Sequence, residues 1–186
     1  MTDRPRYRVE DGRSCIDIKV RQARQLFDSR DPAPFRERDL DQNALEYLLE
    51  AAQEIPRGRP LKIVVTIAEP GEPPLAADVL TEAIRTHFAY LSEQLTRRLA
   101  DHNRRGRRFL AVGVTALAVF LTLAELTRTL PVSTFRDILR EGLVITGWVA
   151  MWRPLEVLLY DWRPLVDERR QVERLLDAPI DVRSAD

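Results

Sequence analysis

The chain has 186 residues, of which 45% are apolar and 31% charged, a composition typical of a folded protein and not of a disordered one. Basic and acidic residues both number 29, so no overall charge favours nucleic acid or another acidic polymer. The single cysteine, Cys15, excludes an intramolecular disulfide and a cysteine-based zinc cluster. The polar N-terminal sequence MTDRPRYRVEDGR lacks the apolar run of a secretory signal, so we expect the N-terminal half to stay in the cytoplasm.

The first part of the chain contains a predicted strand, a loop and a helix. In SCIDIKV, residues 14–20, apolar and polar side chains alternate as in a half-buried strand. The segment at 27–41, which we call the charged loop, has two prolines and dense charge that exclude a helix or a core strand. After it, an amphipathic pattern predicts a helix that begins with Asp39 or Asp41 as its N-cap and ends before Pro56.

A second strand and a long helix follow. LKIVVTIA, residues 61–68, is a short β-branched run typical of a strand covered on both faces. From Leu75 to about Arg105 there is no proline or glycine, which predicts a helix of roughly 30 residues, ~45 Å long. An apolar stripe on this helix has near-heptad spacing and packs either on its own sheet or on another copy of the chain. The stripe consists of Leu80, Ile84, Phe88, Leu91 and Leu95.

These elements predict an α/β domain with β-α-β-α order over residues 1–105, which we expect to be cytoplasmic and to end in the long helix. Two strands form only a marginal sheet. Either the sheet has further strands, for instance around Tyr7 to Val9, or another copy of the chain completes it.

An apolar segment follows the sequence RRGRRF, which is predicted to separate it from the α/β domain. FLAVGVTALAVFLTLAEL, residues 109–126, carries one ionisable group in eighteen residues and covers ~27 Å as a helix, close to the ~30 Å hydrocarbon thickness. Four arginines precede it and mark the cytoplasmic side under the positive-inside rule. We call Arg104, Arg105, Arg107 and Arg108 the arginine collar. Arginines in this position can also hold anionic lipid headgroups.

A second apolar helix is predicted from about Phe135, with Thr134 and Asp137 at the spacing of a capping box. The link between the two apolar segments is short, so residues 106–162 are expected to form an antiparallel transmembrane hairpin. Residues 163–186 are then a cytoplasmic or interfacial helix and tail. Arginines in that last segment predict that both termini face the cytoplasm in an inner-membrane protein with two spans.

Arg153 and Glu156 interrupt the second apolar run, and two interpretations are open. In a continuous helix, Arg153 lies ~10 Å inside the cytoplasmic end, where it can snorkel and pair with Glu156. Alternatively the span ends near Trp152, and residues 153–163 lie along the interface. The repeated tetrapeptide WRPL favours the second interpretation, because headgroup-region residues then recur at Trp152, Arg153, Trp162 and Arg163.

The charged loop holds the best candidate for a polar site. Carboxylates near arginines can serve acid-base chemistry or bind an anion, although such a run is more often a salt-bridged surface. The residues are Asp28, Arg30, Asp31, Arg36, Glu37, Arg38 and Asp39. The two histidines, His87 and His102, lack metal-ligand spacing, and no phosphate-binding glycine motif occurs. We therefore expect no catalytic residues, no metal and no cofactor.

Small residues recur at close intervals in both apolar segments. In the first they are Ala111, Thr115, Ala118 and Thr122, and in the second Gly142, Thr146 and Ala150. Because small side chains let helices approach closely, we expect these stripes to form the contact within the hairpin.

Together these patterns indicate a membrane-anchored assembly or interaction module without catalytic activity. Its expected partners are the lipid bilayer and a second copy of the chain or another membrane protein, but not nucleic acid. One alternative is a membrane-surface enzyme that uses the charged loop. The other is a component of an oligomeric transporter or channel, which requires more polar lining than these segments offer.

Overall fold

The computed structural model describes residues 6–69, 76–129 and 131–185. The chain divides into two compact units, the first Met1–Leu95 with Asp167–Asp186 and the second Thr96–Val166. The strands are β1 (Val9–Glu10), β2 (Arg13–Val20), β3 (Leu61–Ile67) and β4 (Ile180–Ser184). The helices are α1 (Gln42–Glu54), α2 (Ala77–Leu126), α3 (Thr134–Leu159) and α4 (Arg163–Leu176), with 3₁₀ turns at Ala23–Leu26, Phe35–Glu37 and Thr127–Thr129.

The first unit contains a small mixed sheet in the order β1-β2-β3-β4. β1 and β2 form an antiparallel hairpin whose two turn residues, Asp11 and Gly12, both have positive φ, of 52° and 75°. Asp-Gly is the preferred pair for such a turn, because its twist matches that of the flanking strands. β3 lies parallel to both β2 and β4.

The sheet differs from the predicted two-stranded one. It gains β1 near the position that the sequence suggested, and it gains β4 from a segment that was expected to be only a cytoplasmic tail. β4 pairs with β3 over five residues, from Ile180 opposite Ile63 to Ser184 opposite Ile67. Ile180 and Val182 alternate with Asp181 and Arg183, the same two-residue period that predicted β2, but over a length too short to stand out.

Helices cover one face of the sheet. Ile16 and Ile18 of β2 and Ile63 and Val65 of β3 point into a core that also receives Leu48, Ala51 and Ala52 of α1 and Val172 and Leu175 of α4. The predicted amphipathic helix is α1, and Asp41 is its N-cap, with a side-chain oxygen that accepts a hydrogen bond from the Asn43 N–H at 3.0 Å.

The apolar stripe of α2 belongs to this same core. Leu80, Ile84, Phe88 and Leu95 are at most 2% exposed, and Leu91 packs against them as a partly buried residue. The stripe therefore packs on its own sheet, the first of the two roles that its spacing allowed. Four of its five side chains are buried in the core of the same chain and Leu91 is partly buried there, so the expectation of self-association through these five residues is corrected.

The second unit contains the helical hairpin. α2 continues without a break through the arginine collar to Leu126, so the long helix does not end at about Arg105 as predicted. α3 begins after Ser133, whose hydroxyl accepts a hydrogen bond from the Arg136 N–H at 3.3 Å, in place of the predicted Thr134 cap. The helix then runs through Pro154 to Leu159, so it does not end near Trp152 as the favoured interpretation required.

Glycines, and not the predicted small-residue stripes, mark the contact between the two helices of the hairpin. A Cβ added to Gly113 would lie 2.6 Å from Pro154 Cγ, and one added to Gly147 would lie 3.1 Å from atoms of Leu117 and Phe120. Because Gly113 of α2 has no side chain, the Pro154 ring of α3 can pack directly against α2 at this position. The residues expected at this contact, among them Thr115, Thr122, Gly142 and Thr146, are exposed or only partly buried.

Both apolar stretches are long and apolar enough to cross a membrane, and only a small share of each is buried. A helix in the core of a soluble protein would bury most of such a stretch. Large apolar side chains instead point outward along both helices, including Val112, Val119, Ile145, Trp148 and Val149. The prediction of two helices with the length and composition of membrane spans is confirmed.

Candidate functional site

Two carboxylates of the charged loop, Asp28 and Asp31, are occupied within the loop itself. Asp28 forms an ion pair with Arg30 at 3.0 Å and also accepts a hydrogen bond from the Arg30 backbone N–H. Asp31 accepts hydrogen bonds from the backbone N–H groups of Ala33 and Asp39. The Arg30 guanidinium lowers the pKa of Asp28, and the two backbone donors lower that of Asp31. These acids stabilise the turn geometry of the loop.

Other side chains of the loop join it to α2 or close it on itself. Arg36 pairs with Glu82 of α2 at 3.0 Å, and Arg38 donates to the Ala33 carbonyl at 3.2 Å. Glu37 is exposed in the second 3₁₀ turn. A salt-bridged surface therefore accounts for most of the predicted polar site.

Asp39 reaches a buried histidine that the sequence gave no reason to single out. Its carboxylate oxygen lies 3.0 Å from Nδ1 of His87, which is only 9% exposed. The Leu40 N–H points at the same Nδ1 from 3.3 Å, while Nε2 is buried without a hydrogen-bond partner in the described chain. Nδ1 cannot donate to the carboxylate and accept from the amide at once. Burial lowers the pKa of His87, and Asp39 opposes that shift.

No metal site accompanies this contact. Within residues 6–69, 76–129 and 131–185, no three histidine, cysteine, aspartate or glutamate side chains are grouped so that they could hold a metal ion. His102, the second histidine, lies in the hairpin unit, with Nε2 3.4 Å from the Val157 carbonyl oxygen.

The face of the sheet away from the helices carries a network of ion pairs across the strands. Lys62 of β3 lies 3.1 Å from Asp181 of β4 and 3.5 Å from Glu10 of β1. Arg183 of β4 contacts both of these carboxylates, at 2.7 and 2.8 Å. The Arg183 guanidinium is the main cause that lowers the pKa of Glu10 and of Asp181, and Asp181 raises the pKa of Lys62. The network joins the first and last strands of the sheet.

The outer edge of β4 is open in the part of the chain that the structure describes. The Ile63 N–H donates to the Pro179 carbonyl and the Ala185 N–H donates to the Ile67 carbonyl, at 3.0 and 2.8 Å. Backbone groups alternate in direction along a strand, so Asp181 and Arg183 direct theirs toward β3. Ile180, Val182 and Ser184 direct theirs outward. A groove of about 580 Å³ runs beside this edge and is lined by Ala77, Asp78, Thr81, Glu82, Arg85, Thr86, Ile180, Asp181 and Val182.

In the hairpin unit, the arginine collar lies on the side of α2 that faces away from α3. A Cβ added to Gly106, in the middle of the collar, would meet Val157 and Leu158 of α3 at 3.9 and 4.0 Å. At about 100° per residue, the four arginines lie about 100° to 160° around the helix from Gly106. All four side chains are exposed.

The antiparallel contacts fix the heights of the polar residues on α3. Gly106 packs against Val157 and Leu158, and Gly113 packs against Met151 and Pro154, so Arg153 lies about one helical turn farther into the apolar stretch than Arg108. Arg153 forms the expected pair with Glu156, at 2.9 Å. Trp152 is 73% exposed, Trp162 is exposed in the turn between α3 and α4, and the Arg163 guanidinium lies over the Tyr160 ring at 5.6 Å.

Sequence reasoning missed three of the residues that organise these regions. The contact of His87 with Asp39 joins residues that are 48 positions apart in sequence. The helical period of α2 could place His87 on the buried side of the helix, but it could not indicate Asp39 as the partner. Arg174 of α4 donates to the carbonyl oxygens of Ala52, Ile55, Pro56 and Arg59, which no local pattern could indicate. Arg183 was missed because β4 itself was not predicted.

Comparison with protein-family models, with curated proteins and with solved structures finds no match to this chain.

Proposed function

We propose that this protein is a non-catalytic, membrane-anchored assembly module of a bacterial-type inner membrane, in which an α/β domain on a helical hairpin associates with a second copy through β4. The observation that carries the proposal is the open edge of β4, with unpaired outward backbone groups at Ile180, Val182 and Ser184 in the described chain. Such an edge is a template for another strand.

Membrane anchoring is supported by the two apolar helices and their outward apolar side chains. The cytoplasmic position of both termini is supported by the course of the chain. β4 follows the hairpin in sequence and pairs with β3, which precedes it, so the chain enters and leaves the hairpin from the same folded unit. The arginine collar is the flank expected on the cytoplasmic side.

The sequence of β4 is suited to pairing with itself. In an antiparallel pair centred on Val182, Ile180 of each copy lies opposite Ser184 of the other, and Val182 lies opposite Val182. All three positions direct their backbone groups outward, so the two strands can exchange hydrogen bonds in this register. Asp181 then lies opposite Arg183 of the second copy, in the closer, non-hydrogen-bonded pairs, on both sides of a two-fold axis.

Disulfide formation at the two-fold axis tests the pairing. In a background with Cys15→Ser, Val182→Cys brings two cysteines to a Cα separation of about 5.5 Å, within the range of a disulfide. We expect mild oxidation of native membranes to produce a cross-linked dimer. Lys19→Cys is the matched control, because Lys19 is exposed on β2, inside the sheet, and should not cross-link. A Val182→Cys protein that stays monomeric after oxidation would contradict pairing through β4.

A charge exchange checks the register. Asp181→Arg places like charges opposite each other between the copies and should reduce the dimer. The double variant Asp181→Arg with Arg183→Asp restores opposite charges at both cross-strand positions, and we expect it to recover cross-linking through Val182→Cys.

The orientation of the chain in the membrane is measured separately. A cytoplasmic reporter fused to the C-terminus should be active, and activity of only a periplasmic reporter would refute the proposed topology.

A further inference from the structure

The arginine collar differs in its environment from most arginines of the sheet unit. Arg8 and Arg183 are held by carboxylates at 2.8 Å or less. Within residues 6–69, 76–129 and 131–185, none of Arg104, Arg105, Arg107 and Arg108 forms an ion pair. Four positive charges thus lie in five residues without a counter-charge from the described chain.

The positions of these arginines are fixed with respect to the apolar stretch. α2 is helical through Gly106, and the apolar stretch begins at Phe109, directly after Arg108. Gly106 is the collar position that faces Val157 and Leu158 of α3, so the four arginines on either side of it direct their charges away from the hairpin contact. If the apolar stretch lies in hydrocarbon, the guanidinium groups lie at the level of the lipid headgroups.

Guanidinium groups are matched to phosphate. They present planar donors that bind phosphate oxygens in pairs, and they keep their charge at all relevant pH values. A zwitterionic headgroup carries its own cation beside the phosphate, whereas an anionic phospholipid leaves the phosphate charge uncompensated. A cluster of unpaired arginines at headgroup level therefore favours the anionic lipid.

We propose that the arginine collar is a binding site for the phosphate groups of anionic phospholipids, selected from the bilayer around the hairpin. The proposal rests on the membrane anchoring in the proposed function but not on pairing through β4. A basic residue near an anionic membrane surface contributes about 1 kcal/mol, equivalent to about a fivefold preference for each arginine–phosphate contact.

The three tryptophans provide an intrinsic probe of the lipid next to the collar. Trp148, Trp152 and Trp162 are the only tryptophans of the chain, and all lie on or directly after α3. Gly113 packs against Met151 and Pro154, so Trp152 lies within about two helical turns of Arg108, the near end of the collar. Quenching of their fluorescence by brominated phosphatidylglycerol and brominated phosphatidylcholine reports the relative binding of the two lipids to the reconstituted full chain.

We expect brominated phosphatidylglycerol to bind about fivefold better than phosphatidylcholine near these tryptophans. The variant Arg104→Gln/Arg105→Gln/Arg107→Gln/Arg108→Gln should lose that preference. The control Arg128→Gln/Arg136→Gln/Arg140→Gln removes arginines from the opposite end of the hairpin and should keep it. Equal binding of both lipids by the unaltered protein, or a preference that survives in the collar variant, would overturn the proposal.

Two further measurements separate lipid binding at the collar from failed insertion and from binding of free phosphate. Quenching by brominated phosphatidylcholine must be retained in the collar variant, because it reports insertion and folding of the hairpin. Quenching of the unaltered protein by neither lipid would mean that the membrane anchoring itself is wrong. Inorganic phosphate is compared with chloride at matched ionic strength. If phosphate alone abolished the lipid preference, the site would bind a free phosphate and the lipid assignment would be overturned.

Discussion

The guanidinium of Arg174 in α4 donates a hydrogen bond to the carbonyl oxygen of Ala52 in α1 at 2.6 Å, across 122 residues of sequence. It also donates to the carbonyls of Ile55, Pro56 and Arg59, each at 3.2 Å. The last carbonyls of a helix have no partner within the helix, and a cation there is also favoured by the helix dipole. Arg174 thus caps α1 from a segment that follows the hairpin.

We expect Arg174→Ala to destabilise the sheet unit by about 2 to 4 kcal/mol, because several carbonyls lose a charged donor in a partly buried place. The loss should appear as a lower unfolding midpoint and as faster hydrogen exchange at the C-terminal end of α1. Arg170→Ala is the control on the same helix, since Arg170 is exposed and its nearest carboxylate, Asp167, is 3.8 Å away. Equal effects of the two substitutions would show that the cap is unimportant.

The buried stripe of α2 gives a second prediction. Phe88 is 0% exposed in the core of the sheet unit, so Phe88→Ala should cost about 3 to 5 kcal/mol of folding free energy. Tyr90, two residues along the helix, is 53% exposed, and Tyr90→Ala should change stability by less than about 1 kcal/mol. Urea unfolding followed by circular dichroism measures both. A Phe88→Ala protein that keeps its stability but loses only its oligomeric state would restore the intermolecular role of the stripe.

Two glycines of the hairpin predict opposite responses to the same substitution. Gly113→Ala brings a Cβ to 2.6 Å from the Pro154 ring, so one of the helices must shift. We expect the detergent-solubilised Gly113→Ala protein to unfold at a lower temperature than the unaltered protein. Nothing lies within 4 Å of a Cβ added to Gly142, so Gly142→Ala should be neutral or stabilise α3 by up to about 1 kcal/mol. The same loss at both positions would argue against the observed contact.

His87 predicts a loss of stability in mild acid. Burial lowers the pKa of the folded state below the unfolded value of about 6.5, so between those two values the unfolded chain binds the extra proton. The contribution of His87 is complete above about pH 6.5 and declines as the pH falls through the folded pKa, by at most about 1.4 kcal/mol per pH unit. The carboxylates with lowered pKa, such as Asp28 and Asp181, change the free energy of unfolding only near and below about pH 4.

Unfolding midpoints measured from pH 7 to pH 5 check this prediction. His87→Asn should flatten the dependence in that window. Asp39→Asn removes the carboxylate that opposes the shift, so it should make the decline extend to lower pH. An unchanged pH profile in His87→Asn would assign the acid sensitivity to other groups.

Local periodicity accounts for what the sequence could predict. Residues 14–20 and 61–68 alternate or are β-branched, and they appear as β2 and β3 within one residue at each end. The alternation in Ile180–Ser184 is equally regular but only five residues long, so it does not stand out after a charged helix. The Asp11-Gly12 turn had a recognisable sequence signal, whereas its strand β1 has only two residues.

The hairpin contact shows a different limit. Each apolar helix carries the predicted stripe of small residues and, on another side, a single glycine, Gly113 or Gly147, and spacing alone cannot decide which side faces the neighbouring helix. The choice depends on matching shapes, here the space above Gly113 and the ring of Pro154. The partners of Arg174 and His87 likewise depend on segments 47 or more residues away, so only the folded chain brings them together.

The position of β4 has a consequence for biosynthesis. Ile63 and Val65 lie on β3, which lacks its neighbour on one side until residues 180–184 have left the ribosome. Because those residues come after the hairpin, the sheet is completed only when the second apolar segment has been made. A chain that stalls before residue 180 keeps a bare hydrophobic strand edge, which is the kind of surface that chaperones and proteases recognise. Completion of the sheet thereby reports that the hairpin has been synthesised in full.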